Sequence, residues 1–170
     1  MSRIAVLMTN MFEDVEYTQP TEAFKKSGHQ LILVGLKAGE LVKGKKGEAT
    51  AKIDASVKDV STSDFDALFI PGGYSPDILR MDENAVKFAG DFVKSGKPVF
   101  ALCHAAQLLI TAQVLRGRKV TGWKSIAQDI KNAGAEYPDQ SVVHDGNLIS
   151  SRGPDDIPDF VEASLNELGA

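Results

Sequence analysis

The chain has 170 residues, 43% of them hydrophobic and 25% charged, with a formal net charge of −4 and one cysteine. This length suits one compact domain, residues 1–170, that can bury about 70% of its unfolded surface without cross-links. The acidic balance argues against a nucleic-acid or anionic-membrane partner, and no apolar run reaches the roughly 20 residues that span a bilayer. A lone cysteine forms no internal disulfide, so the fold needs no oxidising compartment. The first residues, "MSRIAVLMTNMFEDVE", turn acidic before an apolar leader develops, and the expectation is a cytoplasmic protein.

In chain order, "IAVLMT" (residues 4–9) is a continuous apolar run of strand length, and "QLILVGL" (30–36), "ALFIPGG" (67–73) and "PVFALC" (98–103) repeat the pattern. Uniformly apolar strands are buried on both faces, as in a parallel sheet covered by helices. Helical spacing fills the intervals. "DVEYTQPTEAFKKSGH" (14–29) ends at Gly28, with Pro20 predicting a kink or a second helix from about Thr18. "DENAVKFAGDFVKSGK" (82–97) stops at Gly96, and "AAQLLITAQVLRG" (105–117) is expected to run to Gly117. "DDIPDFVEASLNELG" (155–169) closes the chain. Between the second and third strands, "KAGELVKGKKGEATAKIDASV" (37–57) has turn glycines and alternation, which predicts a small β-excursion with its lysines on a solvated face. The alternation as a whole predicts an α/β fold, a doubly wound and mostly parallel sheet sandwiched by helices, of the flavodoxin-like kind.

Ligands of such sheets sit outside the carboxyl ends of the strands. Three segments meet there: "NMFEDVE" (10–16), "PGGYSPD" (71–77) and "CHAAQ" (103–107). Cys103 stands where a strand turns into a helix, as in a nucleophile elbow, with Ala101 and Ala105 where that motif usually has glycine. A helix N-terminus would lower the thiol pKa. Gly72 and Gly73 leave backbone N–H groups near the turn, and the amides beside Cys103 can join them as an oxyanion hole. The plainer reading ends a core strand at Cys103 and a turn at the glycines. Glu16 and Asp77 are, on the residues alone, equally readable as helix-terminal or surface carboxylates. His29 reads as an exposed turn residue, and His144, beside the turn signal "DGN", as a surface one. Trp123 and Tyr17 read as core or interface residues. No metal-ligand spacing and no phosphate-binding glycine pattern occurs, so no metal and no cofactor are expected.

Taken together, "FEDVEYTQP", "GKKGE", "FDALFIPGGYSPDILR", "GKPVFALCHAAQLLI", "LRGRKVTG", "NAGAEY" and "SRGPDDIPDF" resemble the PfpI-type intracellular protease family, most closely its bacterial general-stress branch. That family lies in the superfamily of the parkinsonism-associated deglycase and the class I glutamine amidotransferases. The resemblance implies Cys103 as elbow nucleophile, His104 as its proton carrier, Glu16 as the acid touching the sulfur and Glu13 as a second carboxylate. It further implies that Asp77 reaches the histidine of a neighbouring subunit in a homo-oligomer, a dimer or a hexamer. Gly72, Gly73 and Ala105 fall at the oxyanion and substrate-binding positions, and "CHA" replaces the family's usual "CHG". A carboxylate cannot activate a thiolate by charge, so Glu16 makes chemical sense protonated. The implied activity is a stress-related cysteine hydrolase or deglycase acting on a small carbonyl substrate or a modified protein or peptide. The alternative is a redox-sensing or chaperone-like stress protein in which Cys103 is oxidised.

Overall fold

A computed structural model describes residues 1–169. Strands β1 (Arg3–Leu7), β2 (Gln30–Gly35), β3 (Leu41–Lys43), β4 (Thr50–Lys52), β5 (Ala55–Ser56), β6 (Ala67–Ile70), β7 (Val99–Leu102), β8 (Val143–Asp145) and β9 (Leu148–Ser151) alternate with six helices. These are α1 (Asp14–Lys26), α2 (Ser75–Leu79), α3 (Glu83–Lys94), α4 (Ala106–Thr111), α5 (Ala127–Asn132) and α6 (Ile157–Glu167). Seven strands form one sheet in the order β5-β2-β1-β6-β7-β9-β8, parallel except for the β8–β9 hairpin; β3 and β4 pair antiparallel outside it. The doubly wound, mostly parallel sheet and its small β-excursion are thus present.

Strand pleating sorts the apolar runs into two cores. Ile4, Val6, Phe69, Phe100 and Leu102 face α1 and α6, where Phe24 and Phe160 close the layer, with the Phe24 and Phe69 rings 5.7 Å apart. Ala5, Leu7, Leu68, Ile70 and Val99 face α2–α5, packing against Phe88, Phe92 and Leu109. Strand order reverses between β1, which leads to α1 on one face, and β6, whose chain continues to α3 on the other. The crevice where ligands bind in such sheets therefore opens beyond the carboxyl ends of β1 and β6, next to β7.

Three expectations change. Helix α1 passes through Pro20 without a break, and no second helix begins at Thr18; Thr21 Oγ1 donates to Tyr17 O at 2.6 Å in the turn around the proline. Helix α4 ends at Thr111, well before Gly117, because Gln113 is left-handed (φ 59°). His29 is buried, not exposed: its Nδ1 accepts the Ser2 N–H at 3.1 Å. The lysines of the β3–β4 turn are on the exposed face as expected, and two of them, Lys45 and Lys46, reach back to Glu13. His144 is on the surface, where its Nε2 meets Glu167 at 3.2 Å.

That β3–β4 turn is fastened by Asp14. Its Oδ1 accepts the N–H of Lys46 (3.0 Å), and its Oδ2 accepts those of Glu48 (3.0 Å) and Ala49 (2.8 Å). A side chain at Gly44 would run into the same carboxylate. Burial works to raise the Asp14 pKa, but the amides of Lys46, Ala49 and Glu48 outweigh it and hold the carboxyl below its usual value. Asp14→Ala frees three donors and is expected to lower stability by about 1–3 kcal/mol in urea unfolding. The difference from wild type should be full above about pH 4 and vanish as pH falls through the depressed folded-state pKa. A difference that persists at lower pH would contradict this account.

Candidate active site

Cys103 directly follows β7 in the left-handed region (φ 63°) and opens a 3-10 turn, Cys103–Ala105, that leads into α4. This conformation is uncommon for a residue other than glycine and is often found at functional sites. The Trp123 N–H donates to the Cys103 carbonyl at 3.1 Å. A side chain at Gly122 would stand 2.8 Å from that carbonyl. The elbow expected from the sequence is therefore present, with Ala101 and Ala105 buried beneath it.

The sulfur is 3.3 Å from His104 Nδ1, and the other ring nitrogen lies 3.3 Å from Ser125 Oγ. Burial first, then the nearby Lys45 charge, pushes the His104 pKa down, against a smaller opposing pull from Asp77. The imidazole is neutral at neutral pH and can accept a proton. Ser125 as its second contact was not signalled by the sequence.

Glu16 has 0% of its surface exposed. Its Oε1 accepts the Gly72 N–H at 3.0 Å. Its Oε2 is buried beside the Cys103 side chain and has no other partner. Burial lifts the carboxyl to about 7, helped by the charge of Glu13 and resisted by the thiol, the Gly72 amide and Lys45. Cys103, 7% exposed, is pushed up as well, by burial and then by Glu16. The N–H groups of Gly73 and His104 point to the sulfur and work the other way without prevailing. The expected low-pKa thiolate at a helix N-terminus is thus corrected: desolvation and a neighbouring acid outweigh two amide donors. Cys103 and Glu16 titrate as one coupled pair.

The remaining expected residues divide. Glu13 is buried and ion-paired with Lys45 (2.6 Å) and Lys46 (3.3 Å) at the rim. Gly73 adopts φ 82°, and a side chain there would collide with the backbone of residues 11–13. Gly72 is not available as an oxyanion donor because Glu16 occupies its N–H. At that glycine a side chain would meet both Glu16 and the Cys103 Cβ. Ala105 is fully buried under the turn and does not line the cleft. Asp77 is exposed on α2; within the protomer the His104 ring nitrogens are engaged by Cys103 and Ser125 instead.

These groups surround a cleft of about 520 Å³ walled by Glu13, Lys45, Tyr74, His104 and Trp123, with Cys103 at its floor. That volume suits a small ligand or a single modified side chain. Trp123 is braced from behind. A side chain at Gly153 would come within 3.0 Å of its ring, and the adjoining Arg152 is clamped by Asp156 at 2.9 Å through both Nε and Nη2. Among the described residues, no cluster of His, Cys, Asp or Glu could hold a metal ion, and no helix is long and apolar enough to cross a membrane.

A glutamate with a folded-state pKa of about 7, against an ordinary 4.5, favours folding only while protonated. Its contribution is full below about pH 4.5 and is lost as pH rises through about 7. Glu16→Gln stays neutral and escapes this loss. The Tm of the variant minus that of wild type should therefore rise between about pH 5 and about pH 8. A difference independent of pH would exclude a protonated Glu16.

The DJ-1/PfpI family model matches residues 2–167. The chain is 56% identical over 169 residues to Protein/nucleic acid deglycase 2 of Escherichia coli (strain K12), covering 99% of this chain and 98% of that protein. It is 53% identical over 164 residues to General stress protein 18 of Bacillus subtilis (strain 168), covering 96% and 95%. Among solved structures, it superposes with a TM-score of 0.97 on a two-domain protein of Anabaena variabilis with DJ-1/ThiJ/PfpI-like and ferritin-like domains. That match has 39% identity and covers 99% of this chain and 48% of the other. Drosophila melanogaster DJ-1beta superposes with a TM-score of 0.89 at 28% identity, covering 99% and 91%. The chain belongs to the DJ-1/PfpI family.

Proposed function

We propose that this chain is a stress-related cysteine hydrolase of the deglycase type, acting in the cytoplasm on small dicarbonyls such as methylglyoxal or on the adducts they leave on proteins. The observation that carries this reading is the left-handed Cys103, its sulfur 3.3 Å from a neutral His104 at the floor of a small cleft. The relatives named as a deglycase and as a general stress protein support it. With a net charge of −4, the chain is better suited to small or protein-borne adducts than to tracking a polynucleotide.

In this reading the Cys103 thiol gives its proton to His104 Nδ1 as the sulfur adds to the substrate carbonyl carbon. A C–S bond forms, and the carbonyl π pair moves onto oxygen. The Gly73 and His104 amides that converge on the sulfur are placed to receive the developing oxyanion. His104 then returns the proton to the oxyanion, giving a thiohemiacetal. Transfer of that carbon's C–H proton to the neighbouring carbonyl carbon, by way of an enediol, turns it into a thioester, which water hydrolyses to the 2-hydroxy acid and the free thiol. A carbinolamine adduct joins the same route once its C–N bond breaks and the amine leaves with a proton. Glu16, protonated for much of the time near neutrality, keeps a second negative charge away from the sulfur. Peptidase activity suits this cleft less well, since its floor admits one side chain more readily than an extended backbone.

Asp77 would complete the site from a second subunit of a homo-oligomer. Its exposure supports this, as do the exposed apolar side chains near it in sequence, Tyr74 (56% exposed) and Met81 (77% exposed). A redox-sensing role is favoured by one separate observation: the unpaired Glu16 Oε2, which a sulfinate oxygen on Cys103 would satisfy.

Methylglyoxal consumption by the purified protein tests the principal reading. Cys103→Ser should fall to the buffer rate, and His104→Ala should lose roughly 10²-fold or more. Asp77→Asn should reduce kcat while leaving Cys103 alkylation unchanged. Wild-type protein that consumes no methylglyoxal and releases none from a glycated peptide would overturn it.

A further inference from the structure

At the cleft rim two lysines converge on one buried carboxylate: Lys45 Nζ is 2.6 Å from Glu13 Oε2, and Lys46 Nζ is 3.3 Å from Oε1. The trio carries one positive charge in excess. Lys45 is not held by its side chain alone. Its N–H donates to Phe12 O at 2.9 Å, and the carboxylate of Asp14 pins the N–H of Lys46 beside it. Its ammonium lies 5.5 Å from the centre of the Tyr74 ring. Lys45 and Cys103 line the same cleft. The ionisable groups around the sulfur are Glu13 just before α1 and Glu16 in its first turn, Lys45 and Lys46 from the β3–β4 turn, Tyr74 just before α2, Asp77 from α2 and His104 from the elbow. The cations among these are the two lysines.

We propose that Lys45 is a positioning residue for Cys103: its ammonium, anchored by Glu13 at the rim, biases the proton shared by Cys103 and Glu16 toward release and keeps His104 uncharged. The inference rests on Cys103 being the reacting group of the site. Charge alone gives the direction, since a fixed cation favours a thiolate and a carboxylate and disfavours an imidazolium. The same sign recurs at each partner. Lys45 lowers the pKa of Glu16 and of His104, and Cys103 in turn adds to the upward pull that Glu13 chiefly exerts on Lys45. The Lys45 side chain is 31% exposed, so solvent and salt weaken the effect without cancelling it.

The rate of Cys103 alkylation by iodoacetamide, a neutral reagent, followed against pH reads this bias directly. Lys45→Met should raise the midpoint by roughly half a pH unit, a fall of about threefold in rate on the rising limb. Lys45→Arg should restore the wild-type profile. Glu13→Gln should move the midpoint down, because it removes a negative charge while the backbone bonds of Lys45 and Lys46 keep the turn that carries the lysine over the cleft. If the ion pair only braced the rim, breaking it from either side would shift the profile the same way. Opposite shifts support the proposal; shifts in the same direction, or none, overturn it. If Lys45→Met does not fold, Lys45→Gln takes its place, and an unchanged or lowered midpoint in it contradicts the assignment. Alkylation needs no turnover, so wild-type protein inactive on methylglyoxal would fail the catalytic reading and leave this test intact.

Discussion

Glu16 is enclosed, with one oxygen on the Gly72 N–H and the other unpaired beside Cys103, and a carboxyl in that position gives up its proton far less readily than one in water. Burial keeps Glu16 protonated, and its carboxyl beside the sulfur makes a negative charge on Cys103 costly, so the pair holds at least one proton over most of the accessible pH range. What the rest of the site does follows from where that proton goes. His104 is neutral and within reach of the sulfur, and the amides of Gly73 and His104 are aimed at it. The cysteine is therefore better described as a thiol deprotonated during attack than as a thiolate waiting in solvent. This costs driving force, and it also protects the site: a buried, protonated sulfur oxidises more slowly than a free thiolate.

Such a contact survives only if the loops around it cannot drift, and the backbone shows how they are tied. Residues 11–13 run between the two neighbouring loops. Met11 N–H donates to Lys43 O at 2.8 Å and Lys45 N–H to Phe12 O at 2.9 Å on one side. Tyr74 N–H donates to Met11 O at 2.8 Å and Glu13 N–H to Gly72 O at 3.1 Å on the other. The loop after β1 thus acts as a short central strand between the "PGG" loop and the β3–β4 turn. Gly73 is required there because both its left-handed φ and the approach of the Glu13 backbone exclude a side chain. Asp14 fastens the outer turn. The acids at 13, 14 and 16 divide the work by direction: one faces the lysines, one the turn amides and one the sulfur.

The fold was legible because four apolar runs of strand length can be buried on both faces only in a covered parallel sheet, and Cys103 was legible because it ends one of them. The pKa of that cysteine was not. It depends on how many atoms desolvate the sulfur and on a carboxyl 87 positions earlier in the chain, neither of which local spacing encodes. The reach of Lys45 to Glu13 was hidden for a related reason. In "GKKGE" both lysines look solvated, and nothing local shows that Asp14 and Gly44 fold the turn back over α1. The helix through Pro20 was obscured by a true rule, since proline removes one hydrogen bond; packing on both sides of α1, with Phe24 in the core, outweighs that single loss. Ser125 carries no motif at all and is found only by where Trp123 leads the chain.

The alanines at 101 and 105 bear on how tightly an elbow must be built. Glycine at these positions relieves crowding around a left-handed nucleophile, yet here both are methyl-bearing, buried and accommodated. The space comes from elsewhere. Gly72 lets the Cys103 Cβ and the Glu16 carboxyl occupy volume that any side chain would fill, and Gly122 lets the next segment close on the Cys103 carbonyl. Tyr137 then donates its hydroxyl to Gly122 O at 2.6 Å, and Trp123 supplies the N–H that fixes the Cys103 carbonyl. The requirement for small residues has moved from the elbow's own strand and helix to the two loops packed against it. What the chemistry fixes is the left-handed backbone at Cys103 and the room for an acid beside it, and the sequence can meet that demand with glycine at any of several neighbouring positions.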